Sequence, residues 1–164
     1  MSNDKKNHLK LIGKNEEDLK IISAYLQDSV VIIKDIVFLK KNRTFIMILN
    51  RFMWEDVEKG VFRQNKRVRC ALKFEEVTKV QSKNINQKNK NKFLECLAIK
   101  SDQISDGTYQ IKVFFSGNSA ITIDSEELLV TASKIFEEKK IDTISVVKRE
   151  KPIGMIDIHD ILAK

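Results

Sequence analysis

Three residues near the end of the chain have types and spacing that could hold a small ligand. Gly154 lies inside a predicted strand, and Asp157 and Asp160 follow it at intervals of three residues. A glycine within a strand indicates a bulge or the close approach of another backbone or a ligand. Carboxylates accept hydrogen bonds from a ligand's donor groups. The structural alternative is that Asp157 and Asp160 cap a short helix.

A second candidate site combines a cation with an aromatic side chain. Arg51 and Trp54 lie in the segment Asn50-Arg51-Phe52-Met53-Trp54-Glu55. Arg51 could grip a phosphate or carboxylate through its planar fork, with Trp54 as an aromatic wall. In the structural alternative the aromatic residues plug one end of a sheet, and Arg51 pairs with a neighbouring acid.

Basic residues suggest a third kind of chemistry, the neutralisation of nucleic-acid phosphates. The run from Arg67 to Phe74 alternates apolar and basic residues, which predicts a strand with one packed face and one wet, cationic face. The connection over residues 81–92 is rich in Lys and Asn, and a solvated hairpin loop is its alternative interpretation. The candidate nucleic-acid contacts are Arg67, Arg69, Lys73, Lys83, Lys88 and Lys90.

Catalysis has little support in the sequence. The two histidines, His8 and His159, lie at opposite ends of the chain, so neither a Ser-His-Asp set nor a metal cluster is predicted. Cys70 and Cys96 each lie in an apolar alternating run, which is typical of buried thiols. We therefore expect a protein that is not an enzyme and has no metal or other cofactor.

Composition places the chain in the soluble globular class. It has 164 residues, of which 42% are hydrophobic, and a formal net charge of +7. The apolar runs are far shorter than the roughly 20 residues of a membrane span, and the first residues lack the apolar core of a signal peptide. A cytoplasmic protein is expected.

The elements that must position these residues define an α+β fold. Residues 1–8 are predicted to be a disordered leader. Asn15 caps a helix that runs to about Gln27, and a mostly antiparallel sheet follows. The excess of basic residues lies before residue 119, which, with the turn signal at residues 116–118, predicts a boundary between a domain at 9–118 and a unit at 119–164.

Residues 9–116 resemble a family of small bacterial proteins of unknown function. The resemblance is carried by the helix start at Asn15, the segment Leu26-Gln27-Asp28 and the motif Asn-Arg-Phe-x-Trp-Glu at residues 50–55. It implies a fold and no chemistry. In that family the chain usually continues through a further strand and a C-terminal helix.

Residues 119–164 have the pattern of strand, helix and hairpin. Asp124 can cap a helix that places Leu128, Ala132 and Ile135 on one face, and a hairpin follows. The unit resembles the second motif of a tandem cystathionine-β-synthase-type (CBS) module, as found in bacterial sugar-phosphate isomerases that act on arabinose phosphate. The matching residues are Ala132, Ile135, Lys140-Ile141, Val146-Val147, Gly154 and His159-Asp160-Ile161-Leu162.

This resemblance implies an adenine nucleotide or a sugar phosphate as the ligand of Gly154 and Asp160. Asp157 stands where such modules carry a hydroxyl residue. Because the modules work as pairs of motifs around a cleft, it also implies a homodimer that supplies the second copy. The sequence thus predicts a noncatalytic binding or regulatory protein. The alternatives are a basic nucleic-acid-associated protein, or a fused or truncated gene product with no separate function.

Overall fold

The computed structural model describes residues 10–52, 67–135, 143–148 and 151–157. They form the helix α1 at Glu16–Leu26 and eleven strands. The strands are β1 Lys10–Gly13, β2 Val30–Leu39, β3 Thr44–Phe52, β4 Arg67–Phe74, β5 Val77–Lys83, β6 Phe93–Ser105, β7 Thr108–Phe115, β8 Ser119–Ser125, β9 Val130–Lys134, β10 Thr143–Lys148 and β11 Lys151–Asp157. The predicted combination of a helix near the N-terminus and a mostly antiparallel sheet is confirmed.

Local sequence explains where α1 begins and what it buries. The side-chain oxygen of Asn15 accepts a hydrogen bond from the Asp18 backbone N–H at 2.8 Å, so one of the unpaired donors of the first turn is satisfied. Leu19, Ile22 and Leu26 are buried, as their spacing predicts. No helix among the described ranges has the length and apolarity needed to cross a membrane.

Nine strands form one sheet in the order β1-β9-β4-β3-β2-β6-β7-β8-β5, and each neighbouring pair is antiparallel. Inward side chains from both ends of this order, such as Leu72 of β4 and Ile123 of β8, belong to one buried cluster. The sheet is therefore folded over so that its two halves share a core.

The chain passes from one half of the sheet to the other at a turn between β4 and β5. These strands are consecutive, yet β4 lies near one end of the order and β5 at the other. Glu76 has a positive φ of 55°, and the Val77 N–H donates to the carbonyl of Arg43. Arg43 also forms ion pairs with Glu76 and Glu126, so charged side chains link the turn to the ends of neighbouring strands.

The prediction of a helix after Asp124 is wrong. Residues 119–125 and 130–134 are strands β8 and β9, and β9 lies between β4 and β1. Val130 and Ala132 are buried at a spacing of two, which is the strand period. The turn predicted at residues 116–118 is present, and the sheet continues across it because β7 pairs with β8.

The predicted C-terminal hairpin forms a separate two-stranded sheet of β10 and β11. Its register shifts between Val146, which is opposite Gly154, and Val147, which is opposite Pro152. The irregularity expected at Gly154 is therefore present. The CBS-type order of strand, helix and hairpin is not confirmed, because its helix is replaced by β9. Residues 1–8 of the predicted leader lie outside the described residues.

Candidate ligand-binding site

An open apolar cleft separates the second half of β2 from β5. Its volume is about 390 Å³, which falls within the roughly 300–1,000 Å³ typical of ligand pockets. The apolar residues that line it are Ile33, Ile36 and Phe38 of β2, Phe45 of β3, Val80 of β5, Ile85 of the loop after β5, and Ile121 of β8. Ile36, Phe38 and Val80 are only partly buried although they pack against the core.

A bulge in β2 opens this cleft. Val31 is opposite Leu49, but the next paired residue, Ile36, is opposite Met47, so four residues of β2 face a single residue of β3. Such an insertion bends a strand and increases its twist. The pairing of β2 with β6 ends at Ile32, and β5 is the last strand of the sheet. Beyond the bulge, β2 and β5 each have one edge without a strand partner among the described residues, and apolar side chains lie between these two edges.

The polar residues that line the cleft in the described part of the chain come from one segment, residues 82–90. They are Ser82, Gln87 and Lys90. The side-chain amide of Gln87 donates to the Ser82 hydroxyl oxygen at 3.1 Å. The carbonyl of Lys90 accepts from the Lys34 N–H at 2.9 Å, which anchors the loop to the β2 bulge. An apolar cleft with one cation and two hydrogen-bonding groups at one side can hold a molecule that has an apolar body and an anionic head.

Lys90 lines this cleft and was also predicted from the sequence to be a binding residue. The predicted ligand was nucleic acid. Ile36, Phe38 and Val80 were missed because apolar residues in strands predict a closed core. Their role depends on the β2 bulge and on the position of β5 at the edge. Neither has a clear sequence signal.

Arg51 lies inside the protein. It points to the same side of β3 as Met47 and Leu49, and it is 2% exposed. Its Nε donates to the carbonyl of Tyr25 at 3.4 Å, and its guanidinium carbon lies 5.3 Å from the centre of the Tyr25 ring. These contacts tie β3 to α1. The role of Arg51 as an anion anchor stays a prediction, and Trp54 lies outside the described residues.

The basic face predicted for β4 is only partly exposed to solvent. The alternation is confirmed, with Val68, Cys70, Leu72 and Phe74 buried. On the other face, the Arg67 guanidinium donates to the carbonyls of Asp28 at 2.8 Å and Asn50 at 3.3 Å. The Lys73 side chain is 19% exposed and lies 3.9 Å from Glu75, and burial lowers its pKa. Packing therefore covers most of the Lys73 side chain, and the role of Arg67, Arg69 and Lys73 as nucleic-acid contacts stays a prediction.

The other site residues predicted from the sequence lie in β11, at the end of β5 and in the loop after β5, or outside the described residues. Gly154 and Asp157 belong to β11, where Asp157 is opposite Thr143 at the end of the hairpin, and Asp160 lies outside the described residues. Lys83 ends β5, and Lys88 lies with Lys90 in the following loop. Asp157 is therefore the last residue of a strand, and its predicted role in binding stays a prediction.

Both thiols are buried, as predicted. Burial raises the pKa of Cys70 to about 11 and that of Cys96 to about 12. At neutral pH both thiols are protonated, and a protonated thiol is neither a good nucleophile nor a metal ligand. Over the described ranges there is no group of three or more His, Cys, Asp and Glu residues that could hold a metal ion.

Asp35 is a buried carboxylate in the β2 bulge. It is 6% exposed, and its Oδ1 has no hydrogen-bond partner among the described residues. Burial raises its pKa above the ordinary value of 3.8, although the charges of Arg69 and Lys34 partly oppose this effect. The folded state therefore binds the Asp35 proton more tightly than the unfolded state does, and ionisation of Asp35 disfavours folding.

We expect Asp35→Asn to increase the free energy of unfolding at pH 7, because the amide carries no charge to desolvate. The contribution of Asp35 to stability is present below pH 3.8 and is lost as the pH rises through its raised folded-state pKa. Urea unfolding of both proteins from pH 3 to 7 should thus show an advantage of the variant that grows over this window. A variant that is less stable at pH 7 would show that the attraction of Arg69 and Lys34 outweighs the cost of burial.

Comparison with known proteins gives a family and no activity. No curated protein and no solved structure matches the chain. The resemblance to CBS-type modules and sugar-phosphate isomerases receives no support from these comparisons. A family model matches residues 9–143, which include β8 and β9 as well as the sheet before them. The chain therefore belongs to the family described as "Protein of unknown function (DUF2948)".

Proposed function

We propose that this protein is a noncatalytic binding protein whose ligand is a small amphipathic anion, an aliphatic chain that ends in one carboxylate. The observation that carries the proposal is the cleft between β2 and β5. Its wall is apolar on both sides, and its polar groups are collected in the segment that contains Lys90. A chain bound between the strands would place its carboxylate beside Lys90.

The partly buried side chains supply the driving force. Ile36, Phe38 and Val80 retain exposed apolar surface that a bound chain would cover. Each methylene group removed from water contributes about 0.8 kcal/mol. A chain of about eight carbons would gain roughly 5 kcal/mol from these apolar contacts. This gain alone corresponds to a dissociation constant of about 0.2 mM, before the cost of ordering is subtracted and the contribution of Lys90 is added.

Lys90 and Ser82 supply the preference for an anion. The Lys90 ammonium group can donate charge-assisted hydrogen bonds to a carboxylate. The Ser82 hydroxyl accepts from Gln87 through its oxygen, so its proton is available for donation to the same carboxylate. The nucleotide and sugar-phosphate ligands suggested by the CBS resemblance are weaker candidates, because the helix of that unit is absent from residues 125–134.

Titration calorimetry with hexanoate, octanoate and decanoate tests this function. The affinity should rise by up to about fourfold for each added methylene group until the cleft is full. Val80→Asp should abolish binding because it places a carboxylate among the apolar walls, and Lys90→Ala should weaken binding of decanoate about tenfold while leaving decanol unaffected.

Lys88→Ala is the matched control. Lys88 belongs to the same loop and carries the same charge, but it does not line the cleft. The Lys88→Ala protein should bind decanoate with the affinity of the unaltered protein. An affinity that does not depend on chain length, or an equal loss for the Lys88 and Lys90 variants, would contradict the proposed site.

A further inference from the structure

The outward side of the β5, β8, β7 and β6 strands groups Lys83, which the sequence singled out, with two lysines that it did not. On this side, opposite the buried Ile111, Val113 and Ile121, cross-strand partners fall into rows. We call this surface the outer face. Its first row is Lys83, Ala120, Phe114 and Ala98, and its second row is Gln81, Thr122, Lys112 and Lys100.

The second row brings two like charges together. Lys100 of β6 and Lys112 of β7 are direct cross-strand partners, so their Cα atoms are about 4.5–5.5 Å apart. Like charges in directly opposite positions destabilise a sheet. Within the part of the chain that the structure describes, neither lysine forms an ion pair. A bound anion would relieve this repulsion.

An aromatic ring and a depression lie beside these lysines. Phe114 is two residues from Lys112 on the same strand, about 6.8 Å along β7. A depression of about 370 Å³ reaches from Phe114 and Lys112 to Lys83 and the β7–β8 turn. Its rim is held by the Asn84 side chain, which donates to the Asn118 carbonyl at 2.9 Å, and by the Ser119 hydroxyl, which donates to the Asn84 carbonyl at 2.9 Å.

We propose that the outer face binds single-stranded nucleic acid, with one base stacked on Phe114 and the backbone phosphates near Lys83, Lys100 and Lys112. Every base has a face that can stack on an aromatic ring, and lysines beside the ring neutralise the phosphates. The net charge of +7 favours the approach of a polyanion.

The acidic residues of this side restrict the path of the strand. Asp102 and Asp124 occupy the next row, beyond Lys112. Asp124 accepts a hydrogen bond from Gln110 at 3.3 Å, and Lys79 is its cross-strand partner. The polyanion is therefore expected to follow the first two rows, which contain Phe114 and no acidic residue. This surface does not include Lys88 and Lys90 of the loop or the β4 residues predicted from the sequence.

Fluorescence anisotropy with a labelled twelve-nucleotide thymidine strand tests the inference. Binding should depend on salt with a slope of log affinity against log salt of about −2 for three phosphate contacts. The double variant Lys100→Ala, Lys112→Ala should reduce this slope by about 1.4. Phe114→Leu, which keeps an apolar side chain but removes the ring, should weaken binding by about fivefold or more.

The double variant Lys40→Ala, Lys41→Ala is the matched control, because both lysines are exposed in the turn between β2 and β3 and their removal changes the net charge equally. It should retain the affinity and most of the slope. Thermal melting would establish that each variant is folded, and decanoate binding in the cleft should be unchanged in all of them.

Three results would overturn the inference. If the Lys40 and Lys41 variant lost as much affinity as the Lys100 and Lys112 variant, the strand would be attracted by net charge alone. Binding of inorganic polyphosphate as tight as that of the thymidine strand, with no effect of Phe114→Leu, would show an anion surface without base recognition. Binding to phosphatidylcholine and phosphatidylglycerol vesicles but not to the thymidine strand, lost on Leu97→Ala, would assign the face to a membrane, since Leu97 is 45% exposed there.

Discussion

Phe74→Ala is expected to lower the free energy of unfolding by about 3–5 kcal/mol, the usual cost of truncating a buried aromatic side chain. Phe74 is 0% exposed, and its ring centre lies 5.9 Å from that of Phe45 at an angle of 49°. It ends β4, where Phe45 of β3 and Val130 of β9 are its cross-strand partners. The substitution would leave a cavity at the junction of three strands. Urea unfolding monitored by circular dichroism would measure the loss.

Phe93→Ala is the control for this prediction. Phe93 begins β6 and is 62% exposed, so its removal should change stability by no more than about 0.5 kcal/mol. A double-mutant cycle of Phe74 and Phe45 should return a coupling of about 0.5–1.5 kcal/mol for the ring contact. If Phe74→Ala lowered the free energy of unfolding no more than Phe93→Ala does, Phe74 would not lie in a core shared by the two halves of the sheet.

Arg51→Ala should destabilise the protein by about 3 kcal/mol or more. The change removes a hydrogen bond from a charged group to the Tyr25 carbonyl, which is worth about 1.5–3 kcal/mol. It also removes the contact of the guanidinium with the Tyr25 ring, worth up to about 2 kcal/mol at a desolvated site. Calorimetric melting would measure the change. Because α1 is held to β3 through Tyr25, amide exchange in α1 should accelerate more than exchange in β7.

Arg51→Lys separates charge from shape. Lysine keeps the charge but cannot reproduce the planar group over the ring, so we expect it to recover less than half of the lost stability. An Arg51→Ala protein that is as stable as the original but no longer binds inorganic phosphate would instead support the anion-anchor role predicted from the sequence.

The elements predicted with success are those whose signal is local. Asn15 followed by acids marks a helix start whatever surrounds it, because the cap hydrogen bond joins residues three apart. The alternation from Val68 to Phe74 predicts a half-buried strand, because successive side chains of a strand point to opposite faces. The Asn-Arg-Phe-x-Trp-Glu motif, with the helix start at Asn15 and the segment Leu26-Gln27-Asp28, indicated a family of unknown function, and the chain belongs to such a family.

The segment after Asp124 was misassigned because its pattern fits two periods. Leu128, Ala132 and Ile135 have helical spacing, while Leu128, Val130 and Ala132 alternate as in a strand. The structure selects the strand, since β4 and β1 lie on either side of β9 and satisfy its backbone hydrogen-bonding groups. Short apolar runs are ambiguous in this way until their neighbours are known.

The amino-acid sequence by itself determined the capped helix, most of the strands, the burial of both cysteines and the basic character of the chain, because each depends on neighbouring residues or on composition. Only the tertiary structure decided which residues meet. The cleft depends on a bulge that separates β2 from a strand some 40 residues later in the chain. The pairing of Lys100 with Lys112 beside Phe114 depends on cross-strand register. Register is set by how strands align in three dimensions, and a shift of one residue would turn each of these side chains to the opposite face.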